Sequence, residues 1–175
     1  MRGATSHRPL LLLLAAALLG ACGGEVENNP AAATGGTLCI QDFSDCINPI
    51  FDAMIQGRTG PTTCAASGCH DVGAGSGGAF KIFPAAEPGS VEMMANFFSA
   101  KAFSNLDNPA NSKLLLEPLQ GVFSITGTHT GGDIFPDTDD PCYVAIRNWI
   151  AVRVEDEEAA SCGFCALPPL PECGY

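Results

Sequence analysis

Residues 64–70 read CAASGCH, which places two thiols and an imidazole within one short loop. Four small residues separate Cys64 from Cys69, and Gly68 gives the backbone between them the freedom to bulge. His70 follows the second cysteine directly, and the only histidine after it in the chain is His129. A site built from imidazole in this part of the chain must therefore use His70 and His129.

Two cysteines followed at once by a histidine indicate covalent haem attachment. In that chemistry the two thiols add across the vinyl groups of the porphyrin, and the adjacent imidazole reaches the iron. The usual spacing is C-x-x-C-H, and the spacer here is longer, as in some multihaem cytochromes. We therefore expect Cys64 and Cys69 to hold one haem c covalently and His70 to ligate its iron.

Each of these residues has a simpler alternative. Cys64 and Cys69 could form a disulfide with each other or with other cysteines, and His70 could be an exposed loop imidazole. His129 could be a hydrogen-bonding loop residue. The alternative ligands for the sixth position of the iron are three methionines: Met54, Met93 and Met94. Helical spacing explains two of these as core residues.

The composition limits the functional class. The chain has 175 residues, of which 46% are hydrophobic, which suits one folded domain and excludes a disordered chain. A net charge of −11 argues against nucleic-acid partners and against a polybasic membrane-binding patch. It favours a basic protein partner.

The first residues predict a lipoprotein leader. Residues 1–21 have a positive start and an apolar stretch too short for a comfortable transmembrane helix. The sequence LLGAC ending at Cys22 resembles a lipobox, so we expect Cys22 to be acylated, whereas an ordinary secretory signal is the alternative. Residues 22–36 then form a flexible tether and residues 37–175 a single domain. This predicts anchoring in the cell envelope, at an outer membrane facing the periplasm or the surface, with the lipid bilayer as a partner.

Hydrophobic periodicity predicts a mainly α domain with long loops and no strand of any length. Three helices are expected. The first covers residues 42–56, and the second begins after Ser90 as its N-cap and ends at about Phe103. The third follows Asp139 or Asp140, with Pro141 in its first turn. A shorter helix is possible over residues 112–119. The expected buried residues of the second and third helices are Val91, Met94, Phe97, Phe98, Tyr143, Ile146, Trp149 and Ile150.

Together these pieces resemble the planctomycete-type cytochrome c domains over roughly residues 47–150. The most specific pieces are the Cys-Cys-His unit, the element His129-Thr-Gly-Gly, and the helix YVAIRNWI from Tyr143 to Ile150. The resemblance implies a small single-haem fold in which the first and last helices pack together. It also implies that His70 is the proximal iron ligand and that His129 is the distal one.

The remaining cysteines predict disulfide staples. Beyond Cys22 and the two loop cysteines, the chain keeps an even set whose pairing stays open: Cys39, Cys46, Cys142, Cys162, Cys165 and Cys173. The C-x-x-C formed by Cys162 and Cys165 lacks a redox context, so structural bridges are expected there, and zinc is disfavoured. We expect residues 159–175 to form an irregular strap fastened to the first helix.

The sequence gives little support for a calcium site or for catalysis. The acidic residues Asp133, Asp137, Asp139 and Asp140 lack the spacing of a calcium loop, so capping and solvation explain them better. No catalytic Ser-His-Asp set, phosphate loop or hydrolase motif is present, so an electron carrier is expected rather than an enzyme. The alternative from another class is a cofactor-free, disulfide-rich lipoprotein that serves as a surface binding or structural module.

Overall fold

A computed structural model describes residues 36–57, 60–74, 78–122, 129, 131–159 and 162, and helices dominate this part of the chain. These residues all belong to one compact unit. The predictions for the leader, for Cys22, for the tether up to residue 35 and for Cys165 and Cys173 lie outside the described residues. The elements are α1 (Ile40–Asp42), a π-helical segment (Phe43–Ile47), α2 (Asn48–Asp52), β1 (Ile55–Gly57), β2 (Gly60–Thr62), α3 (Val91–Ala102), a 3-10 turn (Pro109–Asn111), α4 (Lys113–Leu116) and α5 (Pro141–Ala151).

The first helical stretch is shorter than expected and changes register in its middle. It begins at Ile40 and ends at Asp52, so the prediction of a helix to residue 56 was wrong. The π-helical segment Phe43–Ile47 lies directly before the turn that contains Pro49. Because proline has no backbone N–H, it interrupts the regular α-helical ladder, and a wider turn accommodates the interruption.

A short antiparallel hairpin follows, although no strand was expected. β1 pairs with β2 so that Ile55 lies opposite Thr62 and Gly57 opposite Gly60. Ala53 leaves the helix with extended backbone angles, and the Ile55 side chain is buried. Strands of three residues are too short to show alternation in the sequence, which explains why the hairpin could not be predicted.

Helix α3 has the predicted start and a different buried face. The Ser90 hydroxyl accepts a hydrogen bond from the Met93 backbone N–H, which confirms the expected N-cap. Val91 is 79% exposed and Phe98 is 50% exposed, so the prediction that these two are buried was wrong. The buried residues are instead Met93, Asn96, Phe97 and Ala100. The polar Asn96 on the buried face shifted the apparent hydrophobic stripe by part of a turn.

Helix α5 matches its prediction. The Asp140 carboxylate accepts hydrogen bonds from the backbone N–H groups of Cys142 and Tyr143, and Pro141 opens the helix. All four residues expected on its apolar face are buried: Tyr143, Ile146, Trp149 and Ile150.

The first and last helices pack together through aromatic rings. The ring centroids of Phe43 and Trp149 lie 5.3 Å apart, and those of Phe43 and Phe97 lie 5.6 Å apart. The Trp149 indole N–H donates to the backbone carbonyl of Cys39, so the buried indole has a polar partner. This cluster joins the first helical stretch, α3 and α5 into one core.

A disulfide and an ion pair fasten the end of the described chain to its beginning. Cys39 is bonded to Cys162 across 123 residues, which confirms a staple between the tail and the first helix. Cys46 and Cys142 are disulfide-bonded as well. Lys101 pairs with Glu157, and Thr37 also donates to that carboxylate. Within the described residues, no helix combines the length and the apolar character needed to cross a membrane.

Candidate haem-attachment site

The loop of residues 64–70 folds back on itself beside the end of the first helical stretch. The Ala65 N–H donates to the Phe51 carbonyl at 3.1 Å, and the His70 N–H donates to the Cys64 carbonyl at 3.0 Å. Gly68 has a φ of 88°, a left-handed conformation that suits glycine. The long spacer is thus taken up by a turn at Gly68, and His70 remains beside Cys64.

Both cysteines of the loop are free thiols, and both are partly buried. They are the free cysteines among the described residues, whereas Cys39, Cys46, Cys142 and Cys162 are all disulfide-bonded. Burial raises the pKa of Cys64 to about 12, and the neighbouring charge of Cys69 adds to the effect. Cys64 is therefore a protonated thiol at neutral pH.

The His70 ring is held in one orientation by the segment that follows the glycine-rich loop. Its Nδ1 lies 3.0 Å from the Phe80 carbonyl oxygen, and its ring packs against the Phe80 ring with centroids 4.7 Å apart. The Ile82 N–H donates to the His70 carbonyl at 2.7 Å, which fixes the backbone. Because a carbonyl only accepts, Nδ1 carries the proton, and Nε2 is the ring nitrogen with the lone pair.

The His129 ring is held in the same way by the glycines that follow it. Its Nδ1 donates to the Gly132 carbonyl at 2.8 Å, and the Gly132 N–H donates back to the His129 carbonyl at 2.9 Å. Gly132 has a φ of 102°. A Cβ at Gly131 would lie 3.1 Å from the Cε1 atom of His129. The two glycines of the His-x-Gly-Gly element thus have separate roles. Gly132 forms the hydrogen bonds with His129, and Gly131 leaves room for the His129 ring.

The structure brings the two imidazoles together from distant parts of the chain. Their ring centroids lie 5.9 Å apart and their planes differ by 12°. At this distance the two rings border the same small volume. Hydrogen bonding of Nδ1 to a backbone carbonyl is the usual support of a ligating histidine. The two rings are therefore candidate ligands for one metal ion or cofactor.

The thiols and the imidazoles do not form a compact metal centre. Among the described residues, no three of the ligand atoms of Cys64, Cys69, His70 and His129 lie within 4.8 Å of one another. A tetrahedral Cys₂His₂ zinc site would bring all four together around one ion. The four donors therefore form no preassembled zinc site in the described part of the chain, and two thiols with an adjacent histidine are the groups that covalent haem attachment would use.

The three candidate methionines differ in burial. Met93 is buried in the core, Met94 is partly buried on the same helix, and Met54 is 53% exposed. The one described group of potential metal ligands that is compact contains Cys39, Asp42 and Cys162. Its two sulfurs are bonded to each other, so neither is available as a thiolate.

The acidic residues near the start of α5 act as caps in the described structure. Asp140 caps the helix, and the Asp137 carboxylate accepts from the Asp139 backbone N–H.

Phe80 is a site residue that sequence reasoning missed. Its signal is weak, because it is one aromatic residue after a glycine-rich loop and contacts His70 only in the folded chain.

No known protein family, no curated protein and no solved structure matches the chain.

Proposed function

We propose that this chain is a membrane-anchored, single-haem c-type cytochrome that transfers electrons, with a domain of the planctomycete type. The observation that carries the proposal is the pairing of the His70 and His129 rings at 5.9 Å beside two free thiols. The described cysteines outside the loop are all in disulfides, which leaves the loop thiols for another use.

Each residue of the site has a distinct part. Cys64 and Cys69 would hold the porphyrin covalently, and His70 and His129 would ligate its iron. A haem in this position supplies one-electron redox chemistry. The protein residues fix the ligand orientation, since both Nδ1 atoms donate to backbone carbonyls that cannot turn away. No substrate chemistry is required of the chain.

The ligand set favours a low reduction potential. A methionine ligand raises the potential of a haem, and replacement of its thioether by an imidazole lowers it. Carbonyl acceptors on both Nδ1 atoms increase the basicity of Nε2, which stabilises the oxidised iron further. The protein would accordingly serve as a low-potential electron donor.

The surface charge favours a basic redox partner. The chain has 19 acidic and 8 basic residues, and loss of Arg2 and Arg8 with the leader would make the net charge more negative, from −11 to −13. Long-range attraction then steers a basic partner and weakens as salt is added. Acylation of Cys22 would keep this exchange close to a membrane.

The absorption spectrum of the purified protein tests the proposal. The chain is exported from a host that has the cytochrome-maturation machinery, and the spectrum is recorded after reduction with dithionite. We expect a red protein with a low-spin spectrum whose colour survives denaturation and acid extraction. A colourless protein whose eight cysteines other than Cys22 are oxidised in pairs would contradict the proposal and support the cofactor-free lipoprotein.

A further inference from the structure

A cavity of about 370 Å³ lies between the first helical stretch and the start of α3, apart from the two histidines. This volume lies in the range of sites for small ligands, roughly 300–1,000 Å³. Its walls are mostly apolar, with a few polar groups among them. The lining residues are Ser44, Asn48, Pro49, Asp52, Ala53, Ala86, Pro88 and Met93.

Asp52 gives this cavity a negative group without a basic partner in its wall. None of the described lining residues is a lysine, arginine or histidine. The Asp52 carboxylate accepts long hydrogen bonds of 3.3 Å from the Ala85 backbone N–H, and Ala85 adopts a φ of 51°. Burial raises the pKa of Asp52, and the Ala85 hydrogen bond only partly offsets it. A cation on a bound ligand would stabilise the charged form of this half-buried carboxylate, which its apolar surroundings disfavour.

Within the described part of the chain, Ser44 adds a polar group without a hydrogen-bond partner to the same wall. Its Oγ is buried, and among the described residues it has no hydrogen-bond partner. It lies in the π-helical segment, a type of turn that is frequent at functional sites. Ser44 and Asp52 are eight residues apart in the same helical stretch. Both polar groups thus line the cavity, and Pro49, between them in sequence, adds an apolar surface to its wall.

We propose that this cavity binds a small organic cation, namely a primary ammonium group on a short hydrocarbon chain. The ammonium pairs with the Asp52 carboxylate, and the hydrocarbon chain lies against Pro49, Pro88 and Met93. The ligand class follows from the cavity alone and does not depend on whether the chain carries a haem.

Titration calorimetry with matched probes tests the proposal. Hexylammonium, hexan-1-ol and hexanoate have equal chains and differ in charge, so each is titrated into the purified protein at pH 7. We expect hexylammonium to bind at least tenfold more tightly than hexan-1-ol, and hexanoate not to bind. Equal binding of the three probes would overturn the proposal, as would a failure of hexylammonium to bind.

Two variants locate the site. Asp52→Asn keeps an acceptor for the Ala85 N–H and removes the charge, so hexylammonium should bind at least tenfold more weakly. Ala86→Leu fills the cavity and should reduce binding of hexylammonium to a similar extent. Glu155→Gln removes an exposed carboxylate outside the cavity and should leave binding unchanged. Thermal unfolding of each variant shows that it is folded, and equal affinity in Asp52→Asn and the unmodified protein would refute the assignment.

Discussion

The imidazole rings of His70 and His129 lie nearly parallel, with centroids 5.9 Å apart and planes that differ by 12°. Each ring donates from Nδ1 to a backbone carbonyl, that of Phe80 for His70 and that of Gly132 for His129. The two rings are thus fixed separately and lie close together. The pair therefore links the sequence motif at residues 64–70 to a loop almost sixty residues later.

Replacement of His129 tests its part in the pair. His129→Ala should convert a low-spin haem spectrum to a high-spin one, because the sixth ligand is lost while His70 and both thioether bonds remain. Absorption and electron paramagnetic resonance spectra measure the change. Met54→Ala is the matched control, since Met54 is largely exposed and should have no effect. A low-spin spectrum in His129→Ala would assign the sixth position to another residue.

Gly131 should control the orientation of the His129 ring. A Cβ at this position would lie 3.1 Å from Cε1 and 3.4 Å from Nδ1 of His129, so Gly131→Ala must displace the ring by a few tenths of an ångström. We expect a mixed-spin spectrum with little loss of stability. Gly78→Ala is the control, because its Cβ would meet no atom within 4 Å although its φ of +66° strains the backbone. If both variants gave the unmodified spectrum, the proposed contact would not matter for ligation.

The disulfide between Cys39 and Cys162 should contribute to stability and not to the colour of the protein. It closes a loop of 123 residues. Loss of a native disulfide in a small exported domain costs about 2–5 kcal/mol, mainly through the entropy of the unfolded chain. The double variant Cys39→Ser, Cys162→Ser should therefore unfold at lower denaturant concentration with its spectrum intact. An unchanged unfolding midpoint would show that the staple does not stabilise the domain.

The pair of Lys101 and Glu157 should make stability depend on acid. Burial alone would raise the pKa of Glu157, but hydrogen bonds from Lys101 and Thr37, with the charge of Lys101, lower it overall. A carboxyl whose pKa is lower in the folded state stabilises the fold above its ordinary pKa. That contribution is lost as pH falls through the lowered value.

Glu157→Gln removes this pH-dependent contribution. At neutral pH the variant should be less stable by about 1 kcal/mol or less, since both side chains are partly exposed. The difference from the unmodified protein should vanish in acid below the lowered pKa, as measured by urea unfolding across a pH series. Asp107→Asn, at the far more exposed partner of Arg153, is the control and should have a smaller effect. A difference that grew in acid would contradict the assigned direction.

The helix boundaries with capping residues could be predicted, and the parts set by tertiary contacts could not. Ser90 and Asp140 are local signals, because each accepts hydrogen bonds from backbone N–H groups two or three residues later. The buried face of α3 was mispredicted because Asn96 lies in the core, where it is bonded to Asn48 and to the Phe83 backbone. Hydrophobic periodicity contains no information on such a pair.

Part of the candidate site could also be predicted from the sequence, and part could not. The loop of residues 64–70 could be recognised because its cysteines and histidine are adjacent in sequence, and the turn at Gly68 follows from glycine's freedom at positive φ. The contact of His70 with Phe80 could not be predicted, nor could the cavity beside Asp52. Both depend on how segments distant in sequence pack against the first helical stretch.

Mass spectrometry of the tryptic peptide spanning residues 59–81 tests the central proposal most directly. The protein is matured in a host with the cytochrome-assembly machinery, denatured, treated with iodoacetamide without reductant and digested. The proposal predicts that this peptide, which contains Cys64, Cys69 and His70, carries the mass of one haem and no alkyl group. A peptide without added haem, with both thiols alkylated or with the two sulfurs joined to each other, would contradict it.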